Sequence, residues 1–315
     1  MHDDVYICLA ITLLATPLAR TTTRWIHPRT AAILLTGGAA VMATATVMAL
    51  GILILGARAR IDITTDPQHI AHRASLIRGL TAPHLATAAV IGLVAGCAGA
   101  AAFIVRRRRA LAASFAHAES FGDRDRVVVT PDTSPDAYAV PGRPGRVVIS
   151  AGMLRALDDA DIEPLLAHEE SHLDRHHHLY ATITRLASAI NPLLRPLAHA
   201  TDFAIERWAD EDAATSGPTR RKVAAAVSKA AIAKNTASPA RRPSLALGVS
   251  PSRAKVLRSA GPIPQRVAAL LAPAPRTNPV ALAGTLAAIA LSAVCAVEAA
   301  TDLAELLSLA PGSLT

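Results

Sequence analysis

The amino-acid sequence predicts a mainly α-helical, multi-span membrane protein with one domain outside the bilayer that contains a small β-sheet or hairpin. Three observations carry this expectation. Half of the 315 residues are hydrophobic (51%) but only 3% are aromatic and 18% charged, and the apolar residues gather in long runs. Arginines flank those runs on one side. Between the third and fourth runs lies a polar stretch with helical spacing and two valine-rich segments.

The first apolar run covers residues 5–20 and follows Asp3 and Asp4. A secretory leader has a basic start, so a membrane segment is expected here, although a short one. The second run, residues 31–57, is broken only by Gly and Thr, which membrane helices tolerate. The third covers residues 85–105 and the fourth begins at Pro279. Cys8, Cys97 and Cys295 each lie within a run and form no CxxC pair, so a disulfide framework is not expected.

The net charge of +8 is mostly arginine. Few aromatics are interleaved with it, so basic flanks facing lipid headgroups are expected rather than a nucleic-acid surface. Arg20, Arg24 and Arg29 separate the first two runs, and Arg106 to Arg109 follow the third. The positive-inside rule then puts residues 110–278 in the cytoplasm and both termini outside. The expected organisation is a membrane region over residues 1–109, a cytoplasmic domain over 110–278, and a fourth span with a short outer tail over 279–315.

Within the domain, Val127 to Val129 and Val147 to Ile149 read as strands separated by a turn-rich segment with four prolines. A helix is expected from about Asp161 to Tyr180, with Asp158, Asp159 and Asp161 at its start. Residues 181–200 are apolar but broken by Pro192 and Pro196, and read as a dipping segment or a lid. Helices follow over 201–214 and 219–234, then a loop-like stretch, then a short helix from Gln265 to Leu271.

The chemistry lies in His168-Glu169-Glu170-Ser171-His172, an HExxH pattern. On a helix, the two histidines share one face and can reach one metal ion. Glu169 is offset around the helix and can contact water on that metal. Zn2+ is the expected cofactor, and Glu169 the expected proton acceptor in hydrolysis of a peptide bond. An open site needs a third protein ligand. Glu206 is the best candidate, with Asp210 one turn later placed to accept the ring N–H of a ligand histidine. Glu211 and Asp212 compete for the same roles, and a solvated acidic face would use none of them. His176, His177 and His178 read as polar surface near the rim, and Trp208 as packing.

Several segments together resemble a known group. They are Asp136 to Gly142, Val147 to Leu154, Leu166 to Leu173 with Arg175, His176 and His177, and Glu206 to Asp210. The set resembles the membrane metallopeptidases related to the BlaR/MecR antibiotic sensors (peptidase family M56), with kinship to the HtpX/Ste24 type. The resemblance implies a zincin-like metallopeptidase domain with His168, His172 and Glu206 as zinc ligands. It also implies Glu169 as general base, Asp210 orienting a ligand histidine, and a cleft bordered by the strand near Tyr138. A protein or peptide substrate is expected, a cytoplasmic regulator among the options. No Ser-x-x-Lys acylation site with its companion motifs lies on the outer side of the expected membrane, so β-lactam sensing is not expected. The competing expectation is a receptor or scaffold with a structural metal site, marked by a fourth protein ligand. A transporter is disfavoured because the runs hold almost no ionisable residues.

Overall fold

The computed structural model describes residues 2–65, 83–119, 125–142, 144–237 and 261–308. The middle of the expected outer loop, the end of the tail and most of the loop after 236 lie outside the described residues. The chain is mainly helical, with a small mixed sheet set into the helical domain. Helices α1 (His2–Ile11) and α2 (Ala15–Trp25) are joined by a 3-10 turn at Thr12–Leu14. Then come α3 (Pro28–Thr65) and α4 (Pro83–Glu119). Strands β1 (Val127–Thr130), β2 (Ala137–Val140) and β3 (Arg146–Ser150) follow. The remaining helices are α5 (Ala151–Ala156), α6 (Asp159–Asp174), α7 (His177–Ile190), α8 (Arg195–Thr215), α9 (Arg220–Ala237), α10 (Pro262–Leu271) and α11 (Pro279–Ser308).

Among the described residues, three helices are long and apolar enough to cross a membrane: α3 over Pro28–Ala57, α4 over Pro83–Ala116 and α11 over Pro279–Thr301. This is a multi-pass membrane protein. Half of the apolar window of α3 is buried within the protein, against 11% for α4 and 17% for α11. So α3 is the central post, while α4 and α11 turn Ile91, Val94, Val280 and Val297 outward, as lipid-facing helices do.

The helix directions follow from close contacts. A Cβ on Gly38 would lie 3.2 Å from Ile289, and each residue sits ten positions past a starting proline, so α3 and α11 run parallel. Gly92, early in α4, faces Leu50, late in α3, so that pair is antiparallel. Two bonds level the starts of α3 and α11: Asn278 N–H donates to the Trp25 carbonyl (2.8 Å), and His27 N–H to Thr277 Oγ1 (3.1 Å). Residues 2–25 descend beside α11, with Cys8 bonded to the Cys295 carbonyl and Thr22 Oγ1 3.2 Å from Thr285 Oγ1. This first apolar run covers the same depth as the spans, but as two short helices rather than one of span length.

The segment over 181–200 does not cross the membrane. It is the bend of a hairpin made by α7, a 3-10 turn at Pro192–Leu194, and α8. Its tip lies deep in the bundle. Asn191 Nδ2 donates to Thr46 Oγ1 at 3.0 Å, midway along the α3 span. A Cβ on Gly96 or Gly99 of α4 would come within 3 Å of the Ile190 or Ala189 carbonyl. Glycine is needed there for α4 to touch the tip, the small-residue contact typical of membrane helices. Asn191 also caps the 3-10 turn through Leu193 N–H (3.0 Å), so the polar groups freed at the tip have partners inside protein.

The expected single helix from Asp161 to Tyr180 is two. It ends at Arg175, His176 adopts a left-handed conformation (φ 52°), and α7 begins at His177. A non-glycine residue in that region costs roughly 1 kcal/mol or more, so the surrounding packing must hold it. The bend sends α7 down beside α3 and α4, and it changes which histidine meets the HExxH helix.

The sheet has the order β1-β3-β2, with β1 parallel and β2 antiparallel to β3. Its centre, β3, buries Val147, Val148 and Ile149. Ser150 caps α5 by accepting from Met153 N–H at 3.0 Å. One free edge of the sheet belongs to β2. Helix α9 is tied to the start of α6 by Lys229, whose Nζ meets Asp161 (2.5 Å) and Asp158 (2.6 Å).

Candidate metal centre

Helix α6 presents His168 and His172 one turn apart, and α8 brings Glu206 to them from the hairpin's second arm. The ring nitrogens His168 Nε2 and His172 Nε2 lie 3.2 Å apart. Glu206 Oε2 is 3.6 Å from His168 Nε2, and Oε1 is 3.6 Å from His172 Nε2. One ligand atom from each of the three falls within 4.8 Å of the others, so the trio can hold a metal ion. The electrostatics fit a cation there. Burial works against charge on His168, yet Asp210 and Glu206 outweigh it and push its pKa up to about 10. Burial and the neighbouring His168 charge push His172 down to about 4. The pair therefore accommodates one positive charge between its facing nitrogens. A divalent cation is the stronger match for two imidazoles and a carboxylate.

Asp210 lies one turn beyond Glu206, almost wholly buried, with Oδ1 3.1 Å from His168 Nδ1, somewhat off the ideal hydrogen-bond direction. His172 is held differently. Its Nδ1 meets His177 Nδ1 at 3.1 Å, and His177, 1% exposed, packs on Trp208 with ring centroids 4.6 Å apart. The contact needs one donor and one acceptor. With His172 Nε2 free to bind a metal, His172 Nδ1 carries the proton and His177 accepts it. The helix break at His176 creates this contact, while His176 is exposed.

Sequence reasoning missed Arg266 on α10. Its Nε donates to Asp210 Oδ2 (2.8 Å), Nη2 to Asp210 Oδ1 (2.7 Å) and Nη1 to Glu206 Oε2 (2.6 Å). This fork holds both carboxylates in their ionised forms. Burial alone would raise the Asp210 and Glu206 pKa values; Arg266 and His168 together hold both below the ordinary carboxylate range. The available signal was a lone charge in a helix, Pro262 to Leu271, that is apolar but for Gln265, since a buried guanidinium requires an acid.

The competing acids are engaged elsewhere. Glu211 pairs with Arg220. Asp212 accepts from Arg175 Nε (2.8 Å) and Ser171 (3.1 Å). Glu169 lines the cleft above the trio, and burial pushes its carboxyl up from the ordinary value.

That cleft encloses about 520 Å³. One wall is β2 with Pro141 just after it; another is the cytoplasm-expected end of α4, with Arg107, Leu111 and Ser114; α7 contributes His178, Ala181 and Arg185. The site sits level with the basic ends of the spans, because Arg29 at the start of α3 lies over Trp208 (5.6 Å) and Arg107 near the end of α4 lines the cleft.

Residues 104–274, more than half of the chain, match peptidase family M48. The chain belongs to that family. The expected kinship with the BlaR/MecR-type family M56 is thereby corrected. The residues that carried it were two imidazoles a turn apart, a neighbouring strand and a later acidic helix. They could not separate the two groups, whereas the family match extends from α4 through α10. Among curated proteins and among solved structures, none matches. As an M48 peptidase with a His/His/Glu cluster, the chain has a zinc-dependent hydrolytic function in a membrane-embedded protein.

Proposed function

We propose that this M48 protein is an integral-membrane zinc endopeptidase, with His168, His172 and Glu206 as ligands and Glu169 as general base. The observation that carries the reading is the meeting of those three donors at the floor of a cleft lined by Glu169 and by the open edge of β2. Bound zinc would lower the pKa of its water and polarise a carbonyl oxygen. Glu169 would accept a proton from the attacking water and hand it to the leaving amine. Burial raises its pKa, which favours its accepting a proton and giving it up in turn. An extended peptide pairs its backbone with β2, so the substrate is a protein or peptide segment. Asp210 and His177 fix the two imidazoles, and Arg266 keeps Asp210 and Glu206 charged. The basic flanks at the level of the cleft support a cytoplasmic active site.

A receptor with a structural metal site is the alternative. It calls for a fourth protein ligand, and among the described residues three donors cluster.

The test is metal analysis of the purified full chain together with a casein cleavage assay. About one zinc per chain and cleavage that stops on chelation and returns with added zinc are expected. A chain that binds zinc but cleaves no substrate in a proteome-wide assay sinks the endopeptidase reading. Asp210→Asn is expected to weaken zinc binding by about 10- to 100-fold, read by competition with a chromophoric chelator. An unchanged affinity would remove Asp210 from the site's support.

A further inference from the structure

The four arginines after the third apolar run differ in surroundings. Arg106, Arg108 and Arg109 are exposed, as residues facing headgroups and water should be. Arg107 is half-buried and lines the catalytic cleft. Its Nε is shut off from solvent and has no hydrogen-bond partner. Among the described residues the other cations of the cleft wall are paired: Arg185 with Asp202 at 3.0 Å, and Lys234 with Asp136 at 2.8 Å and the Ala137 carbonyl at 3.0 Å. Two acids of the wall are also committed, Asp202 to Arg185 and Glu206 to Arg266; the third, Glu169, is the proposed general base. Among the described residues, Arg107 is left facing the cleft with a guanidinium fork and no paired anion.

A buried guanidinium nitrogen without an acceptor is costly, and a planar fork matches a carboxylate. We propose that Arg107 forms a binding subsite for a carboxylate of the substrate, so that the peptidase selects segments carrying an acidic side chain or a free carboxyl terminus. The inference rests on the cleft being the peptide-binding site. It also explains why a membrane helix lines that cleft: α4 supplies both a span and a specificity contact. A lipid phosphate is disfavoured because Arg107 turns inward while its three neighbours face out.

The experiment uses the full chain carrying Glu169→Gln in neutral detergent, with zinc content measured for every variant. Labelled peptides differing only in Glu against Gln, each with a free or amidated terminus, are titrated by fluorescence anisotropy. The Glu peptide is expected to bind about 10- to 100-fold tighter than its Gln counterpart. Adding Arg107→Gln brings that ratio close to one, Arg107→Lys keeps part of it, and Arg108→Gln keeps all of it. If amidation rather than Glu→Gln removes the preference, the carboxylate is the terminal one. Ratios near one in the starting protein both for Glu against Gln and for free against amidated termini overturn the inference, as does a preference unmoved by Arg107→Gln. An Arg107 effect confined to binding of phosphatidylglycerol vesicles overturns it too. The same peptides are offered to the protein with Glu169 intact. Selective binding with no cleavage would sink the endopeptidase reading and leave the subsite standing; cleavage without acid preference does the reverse.

Discussion

Glu169→Gln is expected to leave zinc bound and reduce proteolysis by at least about 10²- to 10⁴-fold, the range for loss of a positioned general base. The amide has nearly the shape of the carboxylate, and Glu169 stands beside the ligand trio rather than within it. Metal content should therefore hold while the proton acceptor is lost. Burial holds the Glu169 carboxyl above its usual range, so in the active protein the rate should climb with pH as that group ionises. Zinc analysis and casein cleavage on one preparation check both halves. Cleavage at the original rate would assign the base elsewhere. Loss of zinc together with activity would show that Glu169 holds the site together rather than moving a proton.

Arg266→Met should destabilise the zinc-free protein by about 3–5 kcal/mol, the usual cost of removing one partner from a buried ion pair. Arg266 and Asp210 are both buried and joined by two bonds of 2.8 and 2.7 Å, and among the described residues no other cation but His168 is paired with Asp210. The substitution leaves a charge without compensation. Adding Asp210→Asn should restore part of the loss, because it removes the stranded charge. Unfolding in detergent, followed for the single and double variants, measures both effects. Equal stability of Arg266→Met and the parent would mean that the pair contributes only geometry. Arg266→Lys is no rescue, since an ammonium cannot contact Asp210 twice and Glu206 once.

Much of the site was legible because local spacing encodes it. His168 and His172 share a face on any helix, and Glu206 with Asp210 repeats the device four residues apart. The reading of His177 as polar surface failed for a local reason. It presumed that the helix continued, whereas the left-handed turn at His176 hands the contact to His177. No glycine marks that turn, so composition held no sign of it. Arg107 was read only as one of four charges beside a membrane, and its role in the cleft depends on rotation about the α4 axis. The family was misjudged because the quoted segments report a metal geometry rather than a lineage.

Hydropathy alone pointed to helices long and apolar enough for a bilayer, and residue spacing alone picked out the two histidines and the glutamate that cluster, since both depend on periodicities of a few residues. Which acid meets the histidines, which arginine steadies it, and how deep the α7–α8 hairpin reaches were settled by packing. These depend on contacts such as Glu206 with Arg266 and Thr46 with Asn191, 60 and 145 residues apart in the chain. No local periodicity records such pairings; they exist once helices carrying buried charges and amides are brought together and each polar group must find a partner.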